Sequence, residues 1–422
     1  MDSAVLEVLG RVREQGWLAD RALEVVTRRE SRLYSNERRA VAETLYGVVR
    51  WQGQLEWILG GRPGLQALYA AWLARHGGLS AEGAERRTGI PRGTLAPLAE
   101  ADGRIAALAD PANRLAAAES LPPWLSRQLV AELGLEEARA LASALNRRAP
   151  LTVRANLLRG SRESLATRLA EEGAESEPTP LSPWGLALTG HANAFGLPSF
   201  KEGLFEVQDE GSQLVALACG ARPGMKVVDA CAGAGGKSLA LAAEMRNRGE
   251  ILACDVDAGR LEEARRRARR DGVHNLRTKV LPAGAEADEA LRPLEGWADV
   301  VLVDAPCSGL GTLRRKPDAR WRLEPTSLPR FAATQRELVE RFARLVAPGG
   351  RLLYATCSVA RAENEEVAAF AASLPGLSPF PLARTLGATL EEETRAHGNE
   401  LRLLPHRHGT DGFFAAAFEK AR

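Results

Sequence analysis

The apolar positions fall into three successive patterns. Across residues 1–118 they recur at helical spacing. Ala4, Leu6, Val8 and Val12 open one amphipathic run, and Leu18, Ala22, Leu23 and Val26 continue it. Arg38–Leu59 carries another, through Val41, Leu45, Val48, Val49 and Leu55. Valine-rich alternation is absent, so this region is expected to be an all-α bundle, broken at Gly60–Gly64 and ending in a connector over Arg104–Pro122. Residues 119–200 mix the two periods: a helix opened by Pro122-Pro123-Trp124 and running to Leu145, a short strand over Leu151–Asn156, and a helix capped by Ser161 that ends near Gly173. The Pro-rich stretch Pro178–Pro183 leads into short apolar strands, which makes a compact α+β module.

Residues 201–422 alternate strand and helix. Met225–Asp229, Ile251–Asp255, Val300–Asp304 and Arg351–Ala355 read as buried strands, and Ser238–Arg246 and Ala258–Asp271 as helices between them. Phe413–Glu419 supplies a last strand in a hairpin. Such alternation predicts an α/β Rossmann-like domain with a mainly parallel, seven-stranded sheet covered on both faces. The chain is therefore expected to be multidomain: an all-α bundle, a small α+β linking module and the α/β domain.

Bulk properties change this picture little. A hydrophobic fraction of 45% suffices for buried cores, and a net charge of +2 neither demands nor excludes a nucleic-acid partner, since phosphate binding needs only a local basic patch. Met1–Gly16 lacks the apolar segment of a signal peptide, and no run of about 18 apolar residues is present, so the expected location is cytoplasmic, with no membrane contact. The five cysteines (Cys219, Cys231, Cys254, Cys307 and Cys357) form no CxxC pair and no short His/Cys cluster, so neither zinc nor another metal is expected. A monomer is expected.

The first candidate site is the loop Val228–Ser238, which follows a strand and opens a helix. A phosphate-binding P-loop would need glycine where Cys231 stands, and a dinucleotide fingerprint starting at Gly233 would need glycine where Ser238 stands. The remaining option is a methyltransferase loop, whose glycines let the backbone approach a nucleoside and an amino-acid tail. Asp255, at the end of the next strand, has the spacing of an acid that holds both ribose hydroxyls; the plainer alternative is a tight turn with Asp255 as a helix N-cap. Asp229, Cys231, Ala232, Gly233, Gly235, Gly236, Lys237, Asp255 and Asp304 are the candidate cofactor contacts. The arginine-rich helix after Asp255 reads as a solvated face, with Glu262 facing Arg266 and Glu263 facing Arg267 at i,i+4.

The second candidate site is a pair of thiols. A hydrophobic strand delivers Asp304 and Cys307 to the carboxyl end of the sheet, and Leu352–Ser358 delivers Cys357 to the same edge, where open α/β sheets bind ligands. Carbon-5 of cytosine is too weak a nucleophile to accept a methyl group unaided. A thiolate that adds to carbon-6 makes carbon-5 enamine-like, and loss of the carbon-5 proton with expulsion of the thiolate completes the exchange. Asp304 stands where it can contact the base ring. Most strand-end cysteines are small buried hydrophobes, which describes Cys219, Cys231 and Cys254; the Asp304-Ala-Pro-Cys307 and Thr356-Cys357-Ser358 contexts set the other two apart. An amino-methylating enzyme would want a second proline and an aromatic residue after Asp304.

With these residues in view, the chain resembles the RsmB/Fmu/Sun family of RNA 5-methylcytosine methyltransferases. Asp229–Lys237, Asp304–Gly309 and Tyr354–Val359 look like three signature motifs of that family, Val207–Gln213 resembles the segment leading into its catalytic domain, and Asp411-Gly-Phe-Phe414 is a typical ending. The resemblance implies S-adenosylmethionine as cofactor, Cys357 as nucleophile, Cys307 assisting breakdown of the adduct, Asp255 on the ribose, and Lys237 at the methionine end. The Pro-Cys thiol attacks in DNA cytosine methyltransferases, so the residues alone leave the two roles open. The helical N-terminus looks like the NusB-like RNA-binding domain of RsmB-type members, and Arg154-Ala-Asn156 resembles an RNA-contact R-x-N. Two departures stand out: Gly233-Ala234 replaces Ala-Pro, and Val280–Gly284, which includes Ala283, lacks the family's Asp.

Leu313–Arg322 gathers Arg314, Arg315, Lys316, Arg320 and Arg322 around Trp321, a candidate phosphate-binding loop. Its alternative is an ordinary exposed loop, and Trp321 is either core or a stacking face. Ribosomal RNA of the small subunit is the expected substrate; transfer RNA, or a silent RNA-binding assembly factor, are the alternatives. Glu363, Asn364 and Glu365 are expected to start a helix, with Asn364 able to orient the Cys357 loop.

Overall fold

The structure, a computed structural model, describes residues 1–30, 34–190, 193–282, 284–387, 390 and 399–422. The chain divides into two compact units: residues 1–148 with 312–325, and residues 149–311 with 326–422.

The first unit is helical. Asp2–Arg13, Ala19–Arg29, Ser35–Ile58 and Leu65–Arg75 enclose a core of Val5, Val8, Leu9, Val41, Leu45, Val48, Val49, Leu55 and Leu68. These are the residues whose 3.6-residue spacing predicts the bundle. The expected connector over Arg104–Pro122 contains a helix, Pro111–Glu119. Asp110 caps it through the Ala112 N–H, Pro111 fills the first turn, and Leu115, Ala116 and Ala117 are buried. Pro123–Leu133 and Leu135–Leu145 pack with that helix in this unit, so the compact boundary falls near Arg148 and not at residue 118. Residues 312–325 also belong here, although they interrupt the α/β region in sequence.

The second unit holds two sheets. Four short strands, β1 (Leu151–Ala155), β2 (Ser176–Pro178), β3 (Gly185–Leu188) and β4 (Phe205–Val207), form an antiparallel sheet in the order β2-β3-β1-β4. β1 is an inner strand with the helix Glu210–Ala218 packed on it, so both of its faces are covered.

The larger sheet comprises β5 (Lys226–Asp229), β6 (Glu250–Asp255), β7 (Leu276–Val280), β8 (Ala298–Asp304), β9 (Val346–Thr356), β10 (Leu377–Phe380), β11 (Leu401–Leu403) and β12 (Phe413–Lys420). Its order is β10-β12-β9-β8-β5-β6-β7, with β11 paired to β12. Among the described residues it thus has eight strands, against the seven expected. The pairs from β9 to β7 are parallel, and β12 runs antiparallel to β9, β10 and β11. Alternation sorts the core: Val227 joins Leu214, Val215 and Leu239 on one face, whereas Val228 joins Val339, Phe342 and Val367 on the other. Strand order reverses between β5 and β8, and a parallel sheet opens a ligand crevice at such a switch point.

Candidate active site

The carboxyl ends of β9, β8, β5 and β6 lie side by side and carry, in that order, Cys357, Asp304 with Cys307, Asp229, and Asp255. Cys307 Sγ stands 3.3 Å from Cys357 Sγ, both thiols being half-buried and free. Lys237 Nζ, on the first turn of the helix Gly236–Glu244, donates to Asp304 Oδ2 at 2.6 Å and sits 5.5 Å from the centre of the Phe413 ring. The site therefore joins two thiols and an ion pair at the end of the switch-point crevice.

The electrostatics of the thiols are unequal. The hydrogen bond with Cys357, reinforced by burial and by the charge of Glu363, pushes the Cys307 thiol well above its usual range. Either sulfur can donate in the S···S contact. Burial works against the Lys237 charge, but Asp304, with smaller help from Cys357 and Asp229, outweighs it and raises the ammonium pKa. Lys237 remains a cation beside Asp304.

The Gly-rich loop turns on two glycines at positive φ. Gly235 holds φ +82° and packs so closely on the helix Ala258–Asp271 that a Cβ there would meet Ala264 Cβ at 2.8 Å, whereas Gly233 at φ +54° has open space where a Cβ would stand. Asp255 Oδ2 accepts from the Gly233 N–H at 2.8 Å and Oδ1 from the Asp257 N–H at 2.9 Å. The helix cap is Asp257, not Asp255, so Asp255 orients the loop and keeps lone pairs for further donors. Asp229 Oδ2 accepts from Ser238 Oγ at 2.6 Å, and Oδ1 is buried without a partner.

Two residues complete the loop that sequence reasoning passed over. Arg267 Nη1 donates to Ala234 O at 2.8 Å, and its other nitrogens bind Glu206. The arginine-rich helix is therefore solvated only in part: Arg265 and Arg266 pair with Glu262 and Glu263 at i,i+3, while Arg267 and Arg270 turn inward to Glu206. No local pattern separates Arg267 from its neighbours; its partner lies far away in sequence. Glu363, expected only at a helix start, is buried between the two cysteine loops.

The expected RNA contacts fare differently. Arg154 is 2% exposed and donates through Nε to Gln208 Oε1 at 2.7 Å. Asn156 is buried and donates to the carbonyls of Gly203 and Asp271, each at 2.8 Å. Arg154 on β1 and Asn156 just after it both brace this covered strand, and neither is presented to a phosphate. Arg320 is 0% exposed, and its Nη1 donates to Ser120 O and Asn146 Oδ1. Arg314 is also buried, and its carbonyl accepts from Arg50. Trp321 is a core-side residue of the helical unit: its indole N–H donates to Val49 O at 2.7 Å, and its ring occupies the space a side chain at Gly53 would need. Of the five basic candidates in this segment, Arg315, half-buried, and Lys316 and Arg322, both exposed, keep surface, and Arg322 pairs with Asp318. Ala283 lies outside the described residues.

A parallel sheet with a Gly-rich loop, a carboxylate after the next strand and chemistry one strand over defines the class: a Rossmann-like methyltransferase. Residues 216–419 match the family described as 16S rRNA methyltransferase RsmB/F, and residues 121–194 match the ferredoxin-like domain of RsmF/B-like methyltransferases. The chain belongs to the RsmB/F family, and S-adenosylmethionine is its cofactor. It is 34% identical over 317 residues to the probable ribosomal RNA small subunit methyltransferase B of Bacillus subtilis, which spans 74% of this chain and 69% of the relative. A methyltransferase homolog protein from Pyrococcus horikoshii superposes with a TM-score of 0.62 at 29% identity, covering 74% of this chain and all (100%) of that one. NSun6 from Pyrococcus horikoshii with SFG gives a TM-score of 0.63 over 72% of this chain and 99% of that one; at 22% identity this likeness shows the fold.

The residues present fit the cofactor. The loop offers glycine backbone, Asp255 retains acceptor capacity for hydroxyls, and the unpartnered Asp229 oxygen is an acceptor that a cationic amino group satisfies. Among the described residues, no group of three or more His, Cys, Asp and Glu side chains could hold a metal ion, and no helix is long and apolar enough to cross a membrane.

Proposed function

We propose that this chain methylates carbon-5 of a cytosine in small-subunit ribosomal RNA through a covalent adduct on Cys357. The observation that carries the reading is the 3.3 Å approach of Cys307 and Cys357 beside the Lys237–Asp304 pair. One thiol would be enough for a buried hydrophobe. Two in contact, beside a lysine–aspartate pair, suit a reaction that must first attack and then release.

Cys357, as thiolate, forms a bond to carbon-6 and pushes electron density onto carbon-5. Asp304, held by Lys237, faces the polar edge of the base and keeps the ring polarised. S-adenosylmethionine, when bound, supplies an electrophilic methyl group. Asp229, Cys231, Ala232, Gly233, Gly235, Gly236 and Lys237 would line its site, with Asp255 on the ribose. Once water has taken the proton from carbon-5, the C–H pair forms the 5,6 double bond, the carbon–sulfur bond breaks and its electron pair returns to Cys357. Cys307 assists this second half, its proton lying within reach of the departing sulfur. The relatives, named for ribosomal RNA of the small subunit, support that substrate. The helical unit would serve, as a NusB-like domain, to bring that RNA to the thiols.

The test is covalent trapping. Wild type, Cys307→Ala and Cys357→Ala are incubated with S-adenosylmethionine and unmodified 16S ribosomal RNA, then run on denaturing gels. A protein–RNA band confined to Cys307→Ala is expected. A band confined to Cys357→Ala reverses the roles, and no transfer by wild type on any RNA sinks the reading.

A further inference from the structure

We infer that Glu363 is a positioning residue that ties the Cys307 loop to the Cys357 loop and sets the contact between the two thiols. The functional meaning rests on the covalent chemistry proposed above; the tie itself is geometric. Glu363 is 0% exposed, in the short turn Arg361–Glu363 that follows Cys357. Its Oε1 accepts from the Ser308 N–H at 2.8 Å and from Gln335 Nε2 at 3.1 Å. Its Oε2 accepts from Ser308 Oγ at 2.5 Å and from Ser358 Oγ at 2.5 Å. Ser308 follows Cys307 and Ser358 follows Cys357, so one carboxylate takes hydrogen bonds from the residue beside each thiol.

The surroundings leave Glu363 little freedom. Tyr354 donates its hydroxyl to the Glu363 carbonyl at 2.5 Å, and Gln335 Nε2 also donates to Pro306 O, the residue before Cys307, at 3.0 Å. Asn364 brackets Cys357 itself: Thr356 Oγ1 donates to Asn364 Oδ1 at 2.6 Å, and Asn364 Nδ2 donates to Ser358 O at 3.1 Å. Among the described residues, no ion pair to the Glu363 carboxylate is present, and its four donors are neutral groups of these loops and of Gln335. A carboxylate offers only acceptors, which matches four donors, whereas an amide in its place would turn one side into a donor facing serine hydroxyls. An unsatisfied or clashing group there is expensive in a dry site, so the loops would separate.

The experiment uses the full chain as wild type, Glu363→Gln, and the double variant Ser308→Ala/Ser358→Ala. Each is treated with diamide, which takes two electrons and two protons from the thiol pair, forms one S–S bond and is reduced to the hydrazine. The rate of Cys307–Cys357 disulfide formation is read by mass spectrometry. Cofactor Kd, and kcat and KM for methyl transfer to 16S ribosomal RNA, are measured in parallel. Both variants are expected to cross-link more slowly and to lose kcat by about 10- to 100-fold, with KM and cofactor Kd within about threefold, as for a misplacement of reacting groups. Wild-type cross-linking rates in both variants overturn the tie, whatever happens to kcat. So does a kcat that falls only in step with cofactor binding. If Glu363→Gln fails to fold, the serine variant carries the decision. If wild type transfers no methyl group at all, the proposed function fails while the cross-linking comparison still decides the tie.

Discussion

The carboxyl edge of β8 and β9 and the segment Thr312–Pro325 follow one another in the chain, yet they use unusual residues in opposite ways. At the strand ends, Cys307 and Cys357 are half-buried and brought into contact. In the segment, Arg314 and Arg320 are buried and serve the helical unit. A small thiol at a strand end has its place set by the strand. A long guanidinium side chain takes its place from whatever tertiary partner it meets, because its stem can pack while its head seeks acceptors. Residue type and spacing were therefore a sound guide to which side chains meet in the first region and a poor guide to which are exposed in the second.

The largest effect that would sharpen this contrast concerns Lys237. Lys237→Met removes the cation beside Asp304 and Cys357 while keeping the stem. Methyl transfer is expected to fall by about 10²–10³-fold, the usual scale for losing one preorganised charge from a closed site. Single-turnover transfer to ribosomal RNA measures it. A loss below about threefold would mean that the ion pair holds the fold and leaves the thiol alone.

Next in size is Arg320. Arg320→Ala removes a fully buried side chain and the donor to Ser120 O and Asn146 Oδ1. The expected cost is about 3 kcal/mol in urea unfolding, with Arg320→Met recovering much of it by filling the space. RNA affinity at fixed salt should stay unchanged wherever the variant is folded. Weaker RNA binding with an unmoved unfolding midpoint would put Arg320 back on the phosphate path and erase the contrast.

Asp229 tests the cofactor loop by pH. Burial pushes its carboxyl up to about 7, against the lowering hydrogen bond from Ser238 and with Asp304 adding to the rise. A carboxyl raised above its unfolded value binds its proton more tightly in the folded state. Its stabilising contribution is complete below about pH 4 and is lost as pH rises through about 7. Relative to wild type, Asp229→Asn in the cofactor-free protein should lack this decline, worth roughly 3–4 kcal/mol across the window. Parallel stability profiles between pH 4 and 8 would instead give Asp229 an ordinary carboxyl.

Sequence pattern carried the α/β domain because β5, β6 and β8 are largely apolar and end in Asp, and because loop, acid and thiols fall at spacings that the parallel sheet translates into one edge. Val5, Val8 and Val41–Leu55 made the helical core equally plain. What stayed hidden depends on partners distant in sequence. Arg267 is one of five consecutive or near-consecutive arginines until Glu206 and Ala234 select it. Glu363 reads as a helix start until both serines converge on it. Arg154 sits on a strand that looks amphipathic, and only the helix Glu210–Ala218 on its polar face reveals that it is inner. The eighth strand, Leu401–Leu403, is too short for periodicity to register.

The smallest effect belongs to Lys316, an exposed basic residue of the segment that also holds the buried Arg314 and Arg320. If the segment meets RNA at all, it does so through such a surface charge. Neutralising one phosphate contact releases about one counterion, so Lys316→Ala should lower the slope of log affinity against log salt by about 0.7–0.9 and weaken binding alike for matched and scrambled RNA. Arg320→Met, compared at a temperature where it is folded, should leave that slope at the wild-type value, since a buried guanidinium displaces no counterion. Equal slopes for Lys316→Ala and wild type would remove the segment from the RNA surface altogether, leaving it as a structural part of the helical unit. A changed slope in Arg320→Met would show that the buried arginine emerges when RNA binds, and the rule that tertiary partners decide an arginine's role would then have to include the RNA among them.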